Sequence, residues 1–147
     1  MDQKIVNFIR QQHIATICCC DEQKNPYCFN CMYAFNEPEG LLYFKSATSS
    51  RHSILLTEHP VVAGTILPDK LNLLTIKGIQ FSGQVIFNHE ILPVQPTKEY
   101  HKKLPFALTI PGEVFTISLI SIKMTDKSRG IGKKLVWNRE TSGLSKY

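Results

Sequence analysis

The residues best suited to chemistry lie in one short stretch, Ser46 to His52, which reads Ser-Ala-Thr-Ser-Ser-Arg-His. It joins an apolar run to a helical pattern, so free backbone N–H groups and the positive end of the helix dipole would favour an anion there. Hydroxyls donate to phosphate oxygens, Arg51 can bind two of them, and His52 adds a further donor. The pattern predicts a phosphate site, although ordinary capping by Ser49 or Ser50 explains the same residues.

Five cysteines form a second group that could do chemistry. They are Cys18, Cys19, Cys20, Cys28 and Cys31. Four thiolates can bind zinc, but side chains three residues apart on a strand point to opposite faces, which places Cys28 and Cys31 poorly for one metal. Cysteine is also commonly buried. We therefore predict reduced thiols, mostly in the core, with no metal site and no disulfide framework.

Apolar periodicity indicates a mainly β chain around these residues. Helices are predicted over 3–12, ahead of Pro60 and over 97–104, and strands over 13–20, 27–35, 41–46, 61–66, 79–87 and 113–126. Because helices do not alternate regularly with the strands, the order favours a closed antiparallel barrel or an α+β sheet over a doubly wound parallel sheet. The tail after residue 126 is ambiguous.

Length and composition fit one domain spanning residues 1–147, with 43% apolar and 20% charged residues. No run reaches the roughly 18 apolar residues that a membrane-spanning helix needs, so we expect no membrane association and a cytoplasmic location. The net charge is +5, and much of it follows Ile122, where Arg129 and Arg139 lie. This basic tail fits either an anionic partner or a solvated surface. Because no DNA or RNA motif accompanies it, nucleic acid is not an expected partner.

The order of segments resembles a known family. The sequence LLYFKSATSSRHSILLTEHPVVAGTI, followed by IKGIQFSGQVIF, is similar to the pyridoxamine 5′-phosphate oxidase-like split β-barrel family, which binds flavin mononucleotide (FMN). In that family a strand ending in Ser or Thr leads through a Ser-Arg-Lys turn into a helix that closes before Pro. The matching residues here are Ser46, Ser50, Arg51, His52, His59 and Pro60. The resemblance covers nearly the whole chain and is strongest to an uncharacterised bacterial branch.

The resemblance implies a homodimer of six-stranded antiparallel split barrels with short flanking helices, which binds FMN between its subunits as a small flavin-dependent oxidoreductase. The phosphate would be held by Ser46, Ser50, Arg51 and His52. The ring would lie along the second and third strands, near Asn30, Tyr33 and Lys45. The other subunit would complete the site with its own Gln80 and Trp137.

Several departures from the family pattern leave a second function open. His52 stands where many flavin-binding members have lysine, and Asn30 and Phe35 stand where the oxidase has arginine and lysine. The oxidase's C-terminal Arg-Leu-His-Asp-Arg substrate motif has no counterpart in GIGKKLVWNRE, so pyridoxamine phosphate is not an expected substrate. The alternative is a flavin-free split-barrel dimer that acts as a binding or structural protein for another anionic small molecule.

Overall fold

The computed structural model describes residues 1–87, 95–127 and 132–140, which contain three α-helices and seven β-strands. The helices are α1 (Gln3–Gln11), α2 (Arg51–Glu58) and α3 (Pro96–Lys103), and a short 3-10 helix, Pro105–Thr109, follows α3. The strands are β1 (Ile14–Cys20), β2 (Pro26–Asn36), β3 (Leu41–Ser46), β4 (Val61–Ile66), β5 (Lys77–Ile86), β6 (Glu113–Asp126) and β7 (Lys133–Asn138). None of the helices in these ranges has the length and apolar character needed to cross a membrane.

Six of these strands close an antiparallel barrel. They pair in the order β3, β2, β1, β4, β5 and β6, and β6 returns to β3. Residues 113–118 of β6 pair with β3, while residues 121–126 pair with β7. The predicted six-stranded split barrel with short helices is thereby confirmed. The strand β7 is an additional strand that pairs with the second half of β6.

Alternating side chains fill the barrel and set its two faces. Inward-facing residues such as Ile17, Phe44 and Ile117 are almost fully buried. The amphipathic helix α1 buries its apolar face against the same core, and it is capped by Asp2, whose carboxylate accepts from the Lys4 N–H at 2.7 Å. A smaller apolar cluster lies on the outer face of β2 and β3, where α3 packs; its members include Ala34, Tyr43, Tyr100 and Leu104.

The predicted elements match the structure closely where apolar patterning is strong. The strands predicted over 41–46, 61–66 and 113–126 have these bounds in the structure, whereas β5 begins two residues before the predicted start at 79. The ambiguous tail contributes β7, because the free edge of β6 gives residues 133–138 a partner. Arg129 of the basic tail lies outside the described residues.

Arg139 ties the end of β7 to the turn between β2 and β3. Its Nε donates to the Leu119 carbonyl at 2.7 Å, and its Nη2 donates to the carbonyls of Glu39 and Gly40, both at 2.8 Å. Gly40 has a φ of +60°, which favours glycine, and an added Cβ would lie 2.7 Å from Arg139 Nη2, so a larger residue here would displace the guanidinium. Arg139 is therefore structural, not part of a solvated tail.

We expect the substitution Arg139→Ala to lower the free energy of unfolding by about 2 kcal/mol, because it removes charged hydrogen bonds to three carbonyls at once. Urea unfolding followed by tryptophan fluorescence measures the change. Lys134→Ala is the matched control, since Lys134 is exposed on β7, the strand that Arg139 follows. Equal stability of the two variants would contradict a structural role for Arg139.

Candidate functional site

Three serine hydroxyls meet where β3 ends and α2 begins. Ser46 is the last residue of β3, and Ser50 is the N-cap of α2, whose Oγ accepts from the Ser53 N–H at 3.4 Å. Ser50 Oγ donates to Ser53 Oγ at 2.8 Å, Ser53 Oγ donates to Ser46 Oγ at 3.2 Å, and the Oγ atoms of Ser46 and Ser50 are 3.1 Å apart. The three hydroxyls therefore form one closed ring, which we call the serine corner. Both predicted roles of this segment, helix capping and ligand binding, involve these hydroxyls.

His52 covers the serine corner. Its Nε2 lies 2.6 Å from Ser46 Oγ and 3.1 Å from Ser50 Oγ. Its ring stacks on the Phe29 ring, with centroids 3.9 Å apart and planes 12° from parallel. The Phe29 ring in turn packs against Phe44 in the core, with centroids 5.6 Å apart. Burial lowers the pKa of His52, which favours the neutral imidazole. His52 thus extends the aromatic core to the barrel end and adds no fixed charge to the corner.

Arg51 points away from the serine corner. Its guanidinium carbon lies 5.0 Å from the centroid of the Tyr27 ring, a cation–π geometry near the β1–β2 hairpin. In this position Arg51 packs on Tyr27, and its forked contact to a phosphate at Ser46 stays a prediction. Of the four residues predicted at the phosphate, the structure brings Ser46, Ser50 and His52 together and directs Arg51 elsewhere.

A cavity of about 270 Å³ opens beside the corner, between β2, β3, α3 and the 3-10 helix. Its polar lining comprises Asn30, Lys45, Ser46 and His52. Its apolar wall includes Phe29, Met32, Tyr100, Phe106 and Ile110. Ser46 of the serine corner, Lys45 and an aromatic surface therefore share one opening, which could accept a ligand with an anionic group and a flat apolar part.

Lys45 supplies a positive charge inside this cavity. Its Nζ donates to the Ala107 carbonyl at 2.8 Å and lies 3.2 Å from His101 Nε2. An ammonium carries three N–H donors, so these two partners among the described residues leave one donor for an anion. Because Lys45 is half-buried beside apolar side chains, its charge is less screened than that of a surface lysine.

Two further groups line the cavity on β2. Asn30 is held in place because its Oδ1 accepts from Thr16 Oγ1 at 2.7 Å. Burial raises the pKa of the Cys31 thiol to about 12, so that thiol stays protonated at neutral pH and is a poor nucleophile. The chemistry this lining offers is therefore binding and orientation by donors, not covalent catalysis by a thiolate.

The remaining predicted site residues lie away from the cavity within one subunit. Tyr33 is 2% exposed and donates from its hydroxyl to the Ile9 carbonyl at 2.6 Å, so it fixes α1 to the barrel and faces the core. Gln80 is exposed on β5, which is separated from β2 by β1 and β4. Trp137 packs near Gly40, at the far end of β3 from Ser46 and about 20 Å away along the strand.

Sequence reasoning missed the cavity wall that α3 and the 3-10 helix provide. Tyr100, His101 and Phe106 follow no motif, and only the docking of α3 on the outer face of β2 and β3 brings them to Lys45. The expectation of core cysteines holds for Cys19, which is buried, but is wrong for Cys20 and Cys28, which are exposed. Within the described ranges, no cluster of three or more His, Cys, Asp or Glu residues could hold a metal ion.

Comparisons with known proteins place this geometry in a fold and a family. Two solved structures share the fold of this chain, at sequence identities too low to show more than the fold. A pyridoxamine 5′-phosphate oxidase-related, FMN-binding protein of Nostoc punctiforme has a TM-score of 0.68 and 8% identity, and the match covers 95% of this chain and 90% of that protein. A heme-binding protein of Mycobacterium smegmatis has a TM-score of 0.69 and 10% identity, covering 87% of this chain and 54% of its own.

The sequence comparisons are more specific about kinship. No family model matches the chain. A UPF0306 protein of Yersinia enterocolitica is 33% identical over 135 residues, which cover 92% of this chain and 91% of that protein. Identity of this level over almost the full length of both proteins, together with the split-barrel fold, shows that the chain belongs to the UPF0306 family.

Proposed function

We propose that this chain binds FMN in the cavity beside the serine corner and acts as a small flavin-dependent oxidoreductase. One observation carries the proposal: a single opening joins a half-buried cation and the Ser46 hydroxyl of the serine corner to an apolar, aromatic wall. A phosphate needs the first set of groups and a flat ring needs the second. The fold shared with the FMN-binding protein of Nostoc punctiforme supports the same proposal.

The donors at the corner fit a phosphate once they turn toward it. In the described arrangement the hydroxyls of Ser46, Ser50 and Ser53 bond to one another, so an incoming phosphate would take over bonds that already exist. Lys45 and the N-terminus of α2 provide the positive potential. When bound, FMN would supply the electron transfer, while these residues bind its phosphate, orient its ring and exclude water.

We also propose that a second copy of the chain completes the site. The cavity of about 270 Å³ is slightly smaller than the pockets of about 300–1,000 Å³ that hold most small ligands. Large apolar side chains at its rim remain open to solvent, since Phe106 is 51% and Ile110 is 47% exposed. A second subunit over this rim would bury them and enlarge the site, and Gln80 and Trp137 could reach FMN only from that subunit.

The second candidate is a split barrel that binds a different anionic ligand without flavin. The observation in its favour is the closed corner: His52 lies 2.6 Å from Ser46 Oγ, and Arg51 packs on Tyr27. Haem is one such ligand, because it is flat and carries two carboxylates, and because His52 lines the cavity and His101 lies next to its Lys45. The fold shared with a heme-binding protein is compatible with this alternative.

Titration with FMN, followed by quenching of flavin fluorescence, tests the leading proposal. We expect FMN to bind more tightly than riboflavin, which lacks the phosphate. Lys45→Met should weaken FMN binding by about 1.5–3 kcal/mol, or roughly 10- to 150-fold, because a charged hydrogen bond is lost. Lys102→Met is the matched control, since Lys102 is exposed on α3 and should leave the affinity unchanged.

Each other outcome of this titration has a definite reading. Saturable binding of hemin with no binding of FMN would favour the second candidate. Equal affinities for FMN and riboflavin would show that the serine corner does not bind the FMN phosphate. Because Lys45 also bonds to the Ala107 carbonyl, thermal unfolding of Lys45→Met must first show an intact fold.

The neutral state of His52 predicts a pH dependence of stability. Burial lowers the pKa of His52 below its ordinary value of 6.5, so as the pH falls the unfolded chain takes up this proton before the folded chain does. The contribution of His52 to the free energy of unfolding is therefore fully present above pH 6.5 and declines as the pH falls below that value. In urea unfolding, we expect the wild-type protein to lose more stability between pH 8 and pH 5.5 than His52→Gln does. Equal losses would contradict a neutral, buried His52.

A further inference from the structure

Two of the five cysteines face each other on the outer surface of the barrel. Cys18 of β1 is the direct cross-strand partner of Cys28 of β2. Cys28 is exposed and Cys18 is half-buried. Cys20 is also exposed, but its partner across the ladder is Pro26. Among the paired residues of β1 and β2, Cys18 and Cys28 therefore form the one opposed pair of thiols.

The hydrogen-bond pattern of this ladder brings the two thiols close. The Tyr33 N–H donates to the His13 carbonyl at 3.2 Å, one step beyond the Ile14–Met32 pair, so His13 and Tyr33 form a hydrogen-bonded pair. Such pairs alternate with non-hydrogen-bonded pairs along an antiparallel ladder, and five steps from His13 place Cys18 and Cys28 in the second kind. There the Cα atoms are about 4.5 Å apart and the side chains approach most closely, which lies within the range that a disulfide spans.

Neighbouring contacts agree with this placement. Thr16 and Asn30 form the next pair on the same face, and their side chains touch through the 2.7 Å hydrogen bond between Thr16 Oγ1 and Asn30 Oδ1. Cys19 and Cys31 point to the opposite, inward side of the ladder, where they pack in the core. Neither of these inward thiols competes with the outward pair.

We propose that Cys18 and Cys28 form a reversible redox site, a dithiol that a low-molecular-weight disulfide converts into a cross-strand disulfide. The site is separate from the proposed FMN function and stands if that function fails. In a reducing environment both residues are free thiols, as the sequence predicts. Oxidation would link the two strands two residue pairs away from Asn30, which lines the cavity.

The two thiols have different roles in the exchange. The contact with Cys28, followed by burial, raises the pKa of Cys18 to about 11, so Cys18 remains protonated while Cys28 is a free thiol. Cys28 is also the more exposed of the two, so it attacks first. Once Cys28 is bonded to another sulfur, it no longer opposes ionisation of Cys18, and Cys18 becomes the resolving thiol.

The reaction balances with glutathione disulfide as the oxidant. Cys28 loses its proton to water and attacks one sulfur of glutathione disulfide, which breaks that S–S bond and releases the first glutathione as a thiol. Cys18 then loses its proton and attacks the Cys28 sulfur of the mixed disulfide, which releases the second glutathione as a thiol. The chain gives up two electrons and two protons, and the glutathione disulfide takes them up.

Thiol counting and peptide mapping test the proposal on the reduced full-length protein. After incubation with glutathione disulfide, we expect two of the five thiols to be lost and both to return with dithiothreitol. Trypsin separates the cysteines into two peptides, because Lys24 lies between Cys20 and Cys28. The disulfide should therefore link the peptide holding Cys18 to the peptide holding Cys28 within one chain.

Three serine variants assign the roles. Cys18→Ser should accumulate a stable glutathione adduct on Cys28, because the resolving thiol is gone, and Cys28→Ser should form no disulfide between the two peptides. Cys20→Ser is the matched control and should oxidise as the wild-type protein does. A glutathione adduct that persists in the wild-type protein, a link that is lost in Cys20→Ser, or a link between two chains would each overturn the proposal.

Discussion

The fold depends on one strand, β6, which pairs with three others. Its 14 residues pair with β5 along most of their length, with β3 over the first half and with β7 over the second. The inward-facing positions change from odd numbers, as at Ile117 and Leu119, to even numbers, as at Ile122 and Met124. The reason is a bulge in β6: Ile120 is an extra residue opposite Ser82 and Gly83 of β5, so both halves of β6 keep apolar side chains in the core.

The closure by β6 also positions the candidate site. Glu113, the first residue of β6, pairs with Ser46, the last residue of β3, so the serine corner begins where the barrel wall ends. Because side chains alternate between the two sides of β3, neighbouring residues of this strand face different surroundings. Phe44 and Ser46 continue the inward side of the strand, whereas Lys45 faces α3 on the outer side. Lys45 and Ser46 are therefore neighbours in sequence whose side chains line one cavity from two directions.

The sequence predicts those parts of the structure that local patterns determine. Strands such as 61–66 and 113–126 are rich in β-branched and other apolar residues, and the Ser50 cap lies next to the hydroxyls that it contacts. Tyr33 shows how the same rules could have been carried further. It lies three residues from Asn30 on β2, so the two side chains must face opposite sides, as was argued for Cys28 and Cys31.

Tertiary docking determines the parts that the sequence did not predict. The strand β7 is only six residues long and needs the free edge of β6. The sequence of α3 is mostly charged, and only its packing on β2 and β3 shows that Tyr100 is buried. Arg51 can either pack on the Tyr27 ring or bind an anion, and no local sequence pattern decides between these two orientations. The opposed thiols, in contrast, follow from the register of a predicted hairpin, but that register depends on the position of the turn.

His52 would link the stability of the barrel to the charge of the ligand that either proposed function requires. Lysine at this position would hold a permanent charge at the corner, whereas the imidazole is kept neutral by burial against Phe29 and the serine hydroxyls. A bound anion acts in the opposite direction, because a nearby negative charge raises the pKa of a histidine. Under either proposed function, the positive charge at the corner would therefore form with the ligand, and the empty barrel would avoid the cost of a buried, unpaired imidazolium.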